Sequence, residues 1–356
     1  MFKFESLRDI HLEITNRCQA ACPMCNRNYH GGLKNPLIKN QDWTTEDFKT
    51  ILNEEVLNQL NGFYFCGNFG DPIINHDLIS MIEYASSVNP SLFIRVHTNG
   101  SARSLDWWKN LAKAMPPQHQ VIFAIDGLED THSVYRIGTK YETIIENAQA
   151  FMEAGGTAEW CFIKFKHNEH QVEEARSRAK DLGFQYFTEK NSSRFIGSPS
   201  FPVFDKNGNT IYHLEHPTDS KLNYITHDMI KNYKQILKDV EIDCYVQHTK
   251  EVYIDAYRRV MPCCFLASTP YNYSRKNDDL HEVRQDIRNQ YQELLDDLGD
   301  TDALKYSLRE IVERESWQTV WQKYWTTRKL TICARTCGKF DAISKPKDQF
   351  ISKEKI

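Results

Sequence analysis

Three thiols lie within one short stretch, Cys18-Gln19-Ala20-Ala21-Cys22-Pro23-Met24-Cys25, directly after an apolar run, Ile10 to Ile14, that reads as a β-strand. No other feature restricts the chain as much. Thiolates are soft ligands suited to iron–sulfur clusters, zinc and copper(I). A four-iron cluster or a structural zinc normally takes four of them. Three cysteines with no fourth beside them leave one metal corner open to another ligand. Two plainer readings stand next to this one. A zinc site needs a fourth ligand close by, and His30 is the residue at hand. Cysteine is also a common small hydrophobe of protein cores.

The residues that follow define the class of chain. A polar loop with Gly31-Gly32 and Pro36 leads to Thr44, which starts a helix with Asp47 as its capping-box partner. Phe48, Ile51, Leu52 and Leu60 keep helical spacing. Short apolar runs recur at Gly62–Cys66, Leu92–Val96, Val121–Ile125, Trp160–Phe165 and Phe184–Phe187. Helical patterns separate them. Leu78, Ile82 and Ala85 form one, capped near Asn75; Leu105, Trp108, Leu111 and Ala112 form the next, capped by Ser104. Ile144, Ile145, Ala148, Phe151 and Met152 end at Gly155-Gly156, and Val172, Ala175, Ala179 and Leu182 end at Gly183. Six strands interleaved with five helices predict parallel βαβ units. Right-handed crossovers curl such units into a barrel or part of one. Six are too few for an eight-stranded barrel of about 250 residues. The expected fold is α/β, a partial (β/α)6 TIM-like barrel over residues 1–190. The polar and glycine residues after each strand gather at the end where barrels carry active sites.

Residues 191–240 break this rhythm. Val203 to Tyr212 reads as a hairpin around Asn207-Gly208, either a lid or a surface excursion. Met229, Ile230, Tyr233, Ile236 and Leu237 read as a sixth barrel helix. Residues 241–345 hold five more cysteines: Cys244, Cys263, Cys264, Cys333 and Cys337. Two short strands, at Val252–Asp255 and from Val260, carry a cysteine at each outer edge, and Cys333 and Cys337 form a tight pair before Gly338. Four thiolates there suit a complete cluster or a zinc, with Cys264 as the alternative to Cys263. The gap between Cys264 and Cys333 carries amphipathic helices, with Leu280, Val283, Ile287, Tyr291, Leu294 and Leu295 on one face. Trp317, Val320, Trp321 and Trp325 follow at helical spacing and read as core. Residues 346–356 read as a polar, solvated tail. Cys66 and Cys161 fall in strands, where burial is the default.

Bulk properties exclude some partners. Lys+Arg 44 against Asp+Glu 48 gives a net charge of −4, which argues against a nucleic-acid or membrane surface as the main partner. No run of about 18 apolar residues predicts a transmembrane helix. The first residues lack a signal-peptide core, so the expected location is cytoplasmic. In a reducing compartment ten cysteines point to metal ligation more than to disulfides.

The Cys-x3-Cys-x2-Cys spacing after a first strand resembles the signature of the radical S-adenosylmethionine (SAM) enzymes. The resemblance implies that Cys18, Cys22 and Cys25 hold three irons of a [4Fe–4S] cluster. The fourth iron then binds the SAM amino and carboxylate groups, and an electron cleaves SAM to methionine and a 5′-deoxyadenosyl radical. Gly67-Asn68-Phe69-Gly70-Asp71-Pro72 resembles the family's GGEP turn, whose backbone accepts hydrogen bonds from the SAM amino group. Asp71 replaces the usual Glu, a change that leaves the backbone role untouched. His97-Thr98-Asn99-Gly100 resembles the Thr-Asn-Gly strand end near the SAM ribose and methionine, and Asn99 can both donate and accept. Its plainer role is to form the turn. Asp126-Gly127, His132 and Arg136 resemble a stretch of the subgroup that includes peptide maturases. Arg136 suits the SAM carboxylate, and Ala124 stands where that subgroup has Ser. Asp126 is expected to bind a SAM or substrate hydroxyl, or to cap its loop. The later cysteines resemble the SPASM/twitch extension. One set of four, Cys244, Cys263, Cys333 and Cys337, fits the twitch form with a single auxiliary [4Fe–4S] cluster. Arg258 stands where the extension's hairpin has Gly, the middle cysteines of the long form are absent, and the gap before Cys333 is large.

The resemblance implies hydrogen-atom abstraction from a substrate, oxidising or cross-linking a peptide or protein side chain. The alternative is a dehydrogenase or epimerase of a sugar- or cyclitol-like molecule. A zinc or iron–sulfur binding module is the non-enzymatic reading, and the SAM-type strand ends speak against it. A one-electron donor such as flavodoxin or ferredoxin is the implied partner.

Overall fold

Side chains alternate along the strands between two environments. On β1 (Asp9–Leu12), Ile10 and Leu12 are buried in the main apolar core, while His11 between them stacks on Tyr64 at 4.3 Å. β2 (Gly62–Phe65) and β3 (Phe93–Thr98) repeat the pattern, with Phe63, Phe65, Ile94 and Val96 in the core. Arg95 lies over the Tyr64 ring at 4.9 Å, and His97 stands 5.9 Å from it. The apolar face carries the helices and the polar face lines the inside of the curve. β4 (Gln120–Ala124), β5 (Ala158–Lys164) and β6 (Tyr186–Asn191) complete the six predicted strands, every neighbouring pair parallel. The chain is described by a computed structural model that covers residues 1–356 apart from 116, 223, 227, 230, 231, 277, 279, 328, 340–343 and 345.

The crossover helices follow the expected signals. Thr45–Ile51 starts with a complete Thr44/Asp47 capping box. Leu105–Ala114 starts with the Ser104 side chain accepting from the Trp107 amide. Val172–Leu182 stops at Gly183, whose φ of 92° is left-handed. Asn75 does not cap the helix Leu78–Val88. It holds the preceding turn instead, accepting from the Asp77 amide and donating to the Ile14 and Trp43 carbonyls.

Beyond β6 the chain departs from the expected plan. β7 (Ser200–Phe204) and β8 (Thr210–Glu215) form the hairpin, which docks on the cysteine loop rather than extending as an excursion. Val203 and Leu214 are buried with Ala20, Cys22 and Met24, and the Phe204 amide donates to the His30 carbonyl at 2.8 Å. Gly32 makes this docking possible, since a Cβ there would meet the Asp205 carbonyl oxygen at 1.9 Å. Of the expected sixth barrel helix, the described residues show a helical turn at Tyr233–Ile236 and helical residues at Asp228 and Met229, and Ile230 lies outside the described residues.

The sheet grows at both edges. β9 (Glu251–Ile254) pairs parallel with β1, and β10 (Val260–Met261) pairs antiparallel with β9. β11 (Phe350–Lys355) pairs antiparallel with β6. The order is β10-β9-β1-β2-β3-β4-β5-β6-β11. Residues 346–356, read as a solvated tail, are largely exposed yet end in this edge strand. A strand with polar, outward side chains hides its role from a hydrophobicity pattern, because backbone hydrogen bonds hold it. The helices His281–Leu298 and Glu315–Thr327 cover the C-terminal side, with Tyr291, Leu294, Trp317, Val320 and Trp321 in the core as expected. No helix among the described residues is long and apolar enough to cross a membrane.

Candidate active site

The strand ends converge on the cysteine loop, one on each thiol. The Asn99 side-chain amide, after β3, points at the Cys18 sulfur at 3.6 Å. Arg136, in the loop after β4, points at the Cys22 sulfur at 3.8 Å. The Cys25 thiol faces the Asn68 carbonyl, after β2, at 3.9 Å. Backbone bonds set the loop, from the Cys25 amide to the Cys22 carbonyl and from the Ala21 amide to the Ile137 carbonyl. Burial, the Asp71 carboxylate and the Cys22 thiol push the Cys18 thiol up from its ordinary value. Burial also raises Cys22, against the pull of Arg136. Such thiols ionise when a bound cation supplies the compensating charge.

Asp71 does more than occupy a place in a backbone turn. Its Oδ1 accepts from the Thr98 hydroxyl at 2.8 Å and from the Ile73 amide. Beyond the backbone role expected of this turn, the buried carboxylate ties the end of β2 to the end of β3. Gly67 and Gly70 allow the turn to close. A Cβ on Gly70 would meet the Thr15 carbonyl at 1.8 Å, and one on Gly67 the Glu13 carboxylate at 2.7 Å. Pro72 opens the short 3-10 turn that follows. Asp126 is wholly buried and ion-paired with Arg136 at 2.5 Å, while its other oxygen accepts from the Ile163 amide. Its carboxylate is therefore committed to holding the arginine.

Sequence reasoning missed three residues. Glu13 accepts from the Phe69 and Gly70 amides at 2.7 and 3.0 Å, and Tyr253 of β9 donates to its other oxygen at 2.6 Å. Burial pushes its carboxyl up to about 7. An acid inside an otherwise apolar strand was the available signal. Tyr253 also accepts from Asn68, which donates to the Cys264 carbonyl as well, so the C-terminal segment holds the Gly67–Gly70 turn. Arg194 donates to the Met24 carbonyl at 2.9 Å beside Cys22 and Cys25. No local pattern marks it or Tyr253.

The later cysteines meet in a second place. Cys244, Cys263, Cys333 and Cys337 line one small, almost wholly apolar cavity with Trp321 and Trp325. The Cys244 and Cys337 thiols are hydrogen-bonded to each other, and Cys333 faces both Cys263 and Cys337. Cys264 turns the other way, toward Cys66 and Glu251. The tryptophan stripe is thus core on one face and a wall of this cavity on the other. Arg258 holds the left-handed φ of 66° that a hairpin Gly would take, and it pairs with Asp47 at 2.7 Å. His30 is occupied elsewhere, its ring stacked with Phe201 and Phe204 and its Nδ1 donating to the Pro202 carbonyl. Among the described residues no three His, Cys, Asp or Glu side chains are gathered to hold a single ion.

A cavity of about 340 Å³ separates the two thiol groups. Cys25, Asn68, Phe265 and Ile332 are among the residues that line it. Phe265 and Ile332 also wall the second cysteine cavity.

The sequence profile of the Radical SAM superfamily matches residues 12–184. Over these residues the chain is similar to that superfamily. Members of this family bind a [4Fe–4S] cluster and SAM. No curated protein sequence matches the chain. Among solved structures, the chain is similar to Streptococcus suis SuiB bound to S-adenosylmethionine, with a TM-score of 0.56 at 10% identity over 93% of this chain and 73% of that one. It is also similar to anSMEcpe with bound AdoMet, with a TM-score of 0.52 at 14% identity over 95% and 89%. At these identities the likeness is one of fold, and it extends beyond residues 12–184 into the C-terminal part.

Proposed function

We propose that the chain is a radical SAM oxidoreductase acting on a side chain of a peptide or protein. The observation that carries this reading is the large cavity that reaches from Cys25 to the Phe265–Ile332 wall it shares with the second thiol group. Cys18, Cys22 and Cys25 would hold a [4Fe–4S] cluster with one open iron, since they share one loop and each faces a different strand end. Cys244, Cys263, Cys333 and Cys337 would hold a second, fully ligated cluster of the twitch type. When bound, the first cluster and SAM supply a radical able to take a hydrogen atom from an unactivated carbon.

The chain's own part is positioning and the exclusion of water. Arg136 would take the SAM carboxylate, and Asp126 would keep its guanidinium in place. Gly67, Asn68 and Gly70 would offer backbone carbonyls to the amino group in a turn braced by Glu13. Asn99, held by Asp71, would face the methionine and ribose. Substrate in the cavity would sit between both thiol groups, which suits a two-electron oxidation with an external one-electron donor such as flavodoxin or ferredoxin. SuiB has been solved with its precursor peptide SuiA and anSMEcpe with a Cp18Cys peptide. A cavity of this volume falls in the usual range for a bound ligand.

The test is anaerobic reconstitution followed by SAM and dithionite. Release of 5′-deoxyadenosine is expected, with a peptide from a neighbouring reading frame losing hydrogen in step. Turnover of a sugar or cyclitol and of no peptide overturns the peptide assignment. A colourless protein that carries zinc and leaves SAM intact overturns the reaction.

A further inference from the structure

The large cavity is electrically one-sided. Arg194, Arg284 and Arg335 line it, and no Asp or Glu does among the described residues. Two of these arginines are partly satisfied. Arg194 donates to the Met24 carbonyl, and Arg284 donates to the Tyr273 carbonyl and lies near Asp278. Among the described residues Arg335 has neither kind of partner: no acidic side chain faces it, and it lies on the helix Thr331–Cys337 that lines the cavity. A guanidinium stays charged in any protein environment, and a half-buried charge without a counter-ion is costly. Arginine is also the side chain whose fork matches carboxylate and phosphate oxygens.

We infer that the substrate brings the missing charge: it carries an oxyanion, a carboxylate or a phosphate, that docks on Arg335 in this positively lined cavity. This rests on the cavity being the substrate site, and it adds what the substrate must look like. The anion anchors one end of the substrate at the wall of the second thiol group, leaving its other end toward Cys25. SAM's own carboxylate does not fill this role, because Arg136, its expected partner, lies beside Cys22 and is not among the residues that line this cavity.

Two probes test this by calorimetry on the anaerobically reconstituted protein in the presence of SAM: inorganic phosphate and N-acetylglutamate, with N-acetylglutamine as the neutral control. At least one anion is expected to bind saturably, one per chain, and the control not at all. Affinity is expected to fall about tenfold or more, the loss of one charge-assisted contact, in Arg335→Gln, and by a smaller factor in Arg284→Gln, which removes a charge from the same cavity. Iron content and SAM affinity are read alongside; Arg284 is remote in sequence from every cysteine, so its variant reports on the anion even if Arg335→Gln loses iron. Phosphate binding alone assigns a phosphoryl group, and N-acetylglutamate binding alone a carboxylate. No saturable binding of either, or full binding in both variants, overturns the inference. Anion binding by a protein that leaves SAM uncleaved supports the anion site while removing the proposed reaction.

Discussion

Asp71 Oδ2 accepts two hydrogen bonds from Asn99, one from its backbone amide at 2.7 Å and one from its side-chain amide at 2.5 Å. That side-chain nitrogen is the one that faces Cys18. A carboxylate at the end of one strand thus sets the direction of an amide at the end of the next, and the amide meets a thiol of the loop.

Removing that carboxylate leaves the Asn99 and Thr98 donors buried without their acceptor. Asp71→Ala is expected to cost about 2–4 kcal/mol of stability, since each lost charged hydrogen bond is worth about 1.5–3 kcal/mol. SAM affinity is expected to fall while iron content holds. Equilibrium denaturation and SAM binding by the iron-loaded variant check this; unchanged SAM affinity would show that Asn99 needs no such tether.

The two thiol groups make separable predictions about metal. Replacing Cys18, Cys22 and Cys25 together by Ala is expected to remove about half of the roughly eight irons that two four-iron clusters imply. SAM cleavage should vanish while the second cluster's absorbance remains. A triple variant that still produces 5′-deoxyadenosine refutes the assignment.

Cys263 and Cys264 are adjacent in sequence and face opposite ways. Cys263→Ser is expected to lower iron substantially, and Cys264→Ser to leave it unchanged. The reverse result would move the ligand to Cys264, and equal losses would mean that both contribute.

Glu13 predicts a pH dependence. Burial lifts its carboxyl from 4.5 to about 7 in the folded chain. Between these values the folded protein keeps a proton that the unfolded chain releases, so stability falls as pH rises through this window and levels off above it. Glu13→Gln is expected to flatten the stability profile between about pH 4.5 and 7 relative to the parent protein. Parallel profiles from urea melts would exclude Glu13 as the source.

Arg258 stores a small backbone cost at its left-handed φ and recovers part of it through Asp47. Arg258→Ala keeps the cost and loses the ion pair, whereas Arg258→Gly loses both. The Gly variant is therefore expected to be more stable than the Ala variant by about 1–2 kcal/mol, the left-handed penalty of a residue with a Cβ. Equal melting midpoints would show no strain at this turn.

Much of this was legible in the chain itself. The period-2 and period-3.6 patterns are local, so six strands, their crossover helices and the Thr44/Asp47 cap follow from neighbours a few residues apart. The Cys18–Cys22–Cys25 motif is equally local, as are the glycines of the 67–70 turn, because close backbone approach excludes a Cβ at the residue concerned. What lay beyond reach depends on contacts between segments far apart in sequence. Tyr253 on Glu13, Arg194 on the Met24 carbonyl and β11 on the barrel edge leave no periodic trace. The choice between Cys263 and Cys264 is a matter of which way one peptide turns after β10. The cavity's charge is the clearest case: Arg194, Arg284 and Arg335 are unremarkable surface-type residues in sequence, and only the packing of three separate segments around one space makes them the lining of a single cavity.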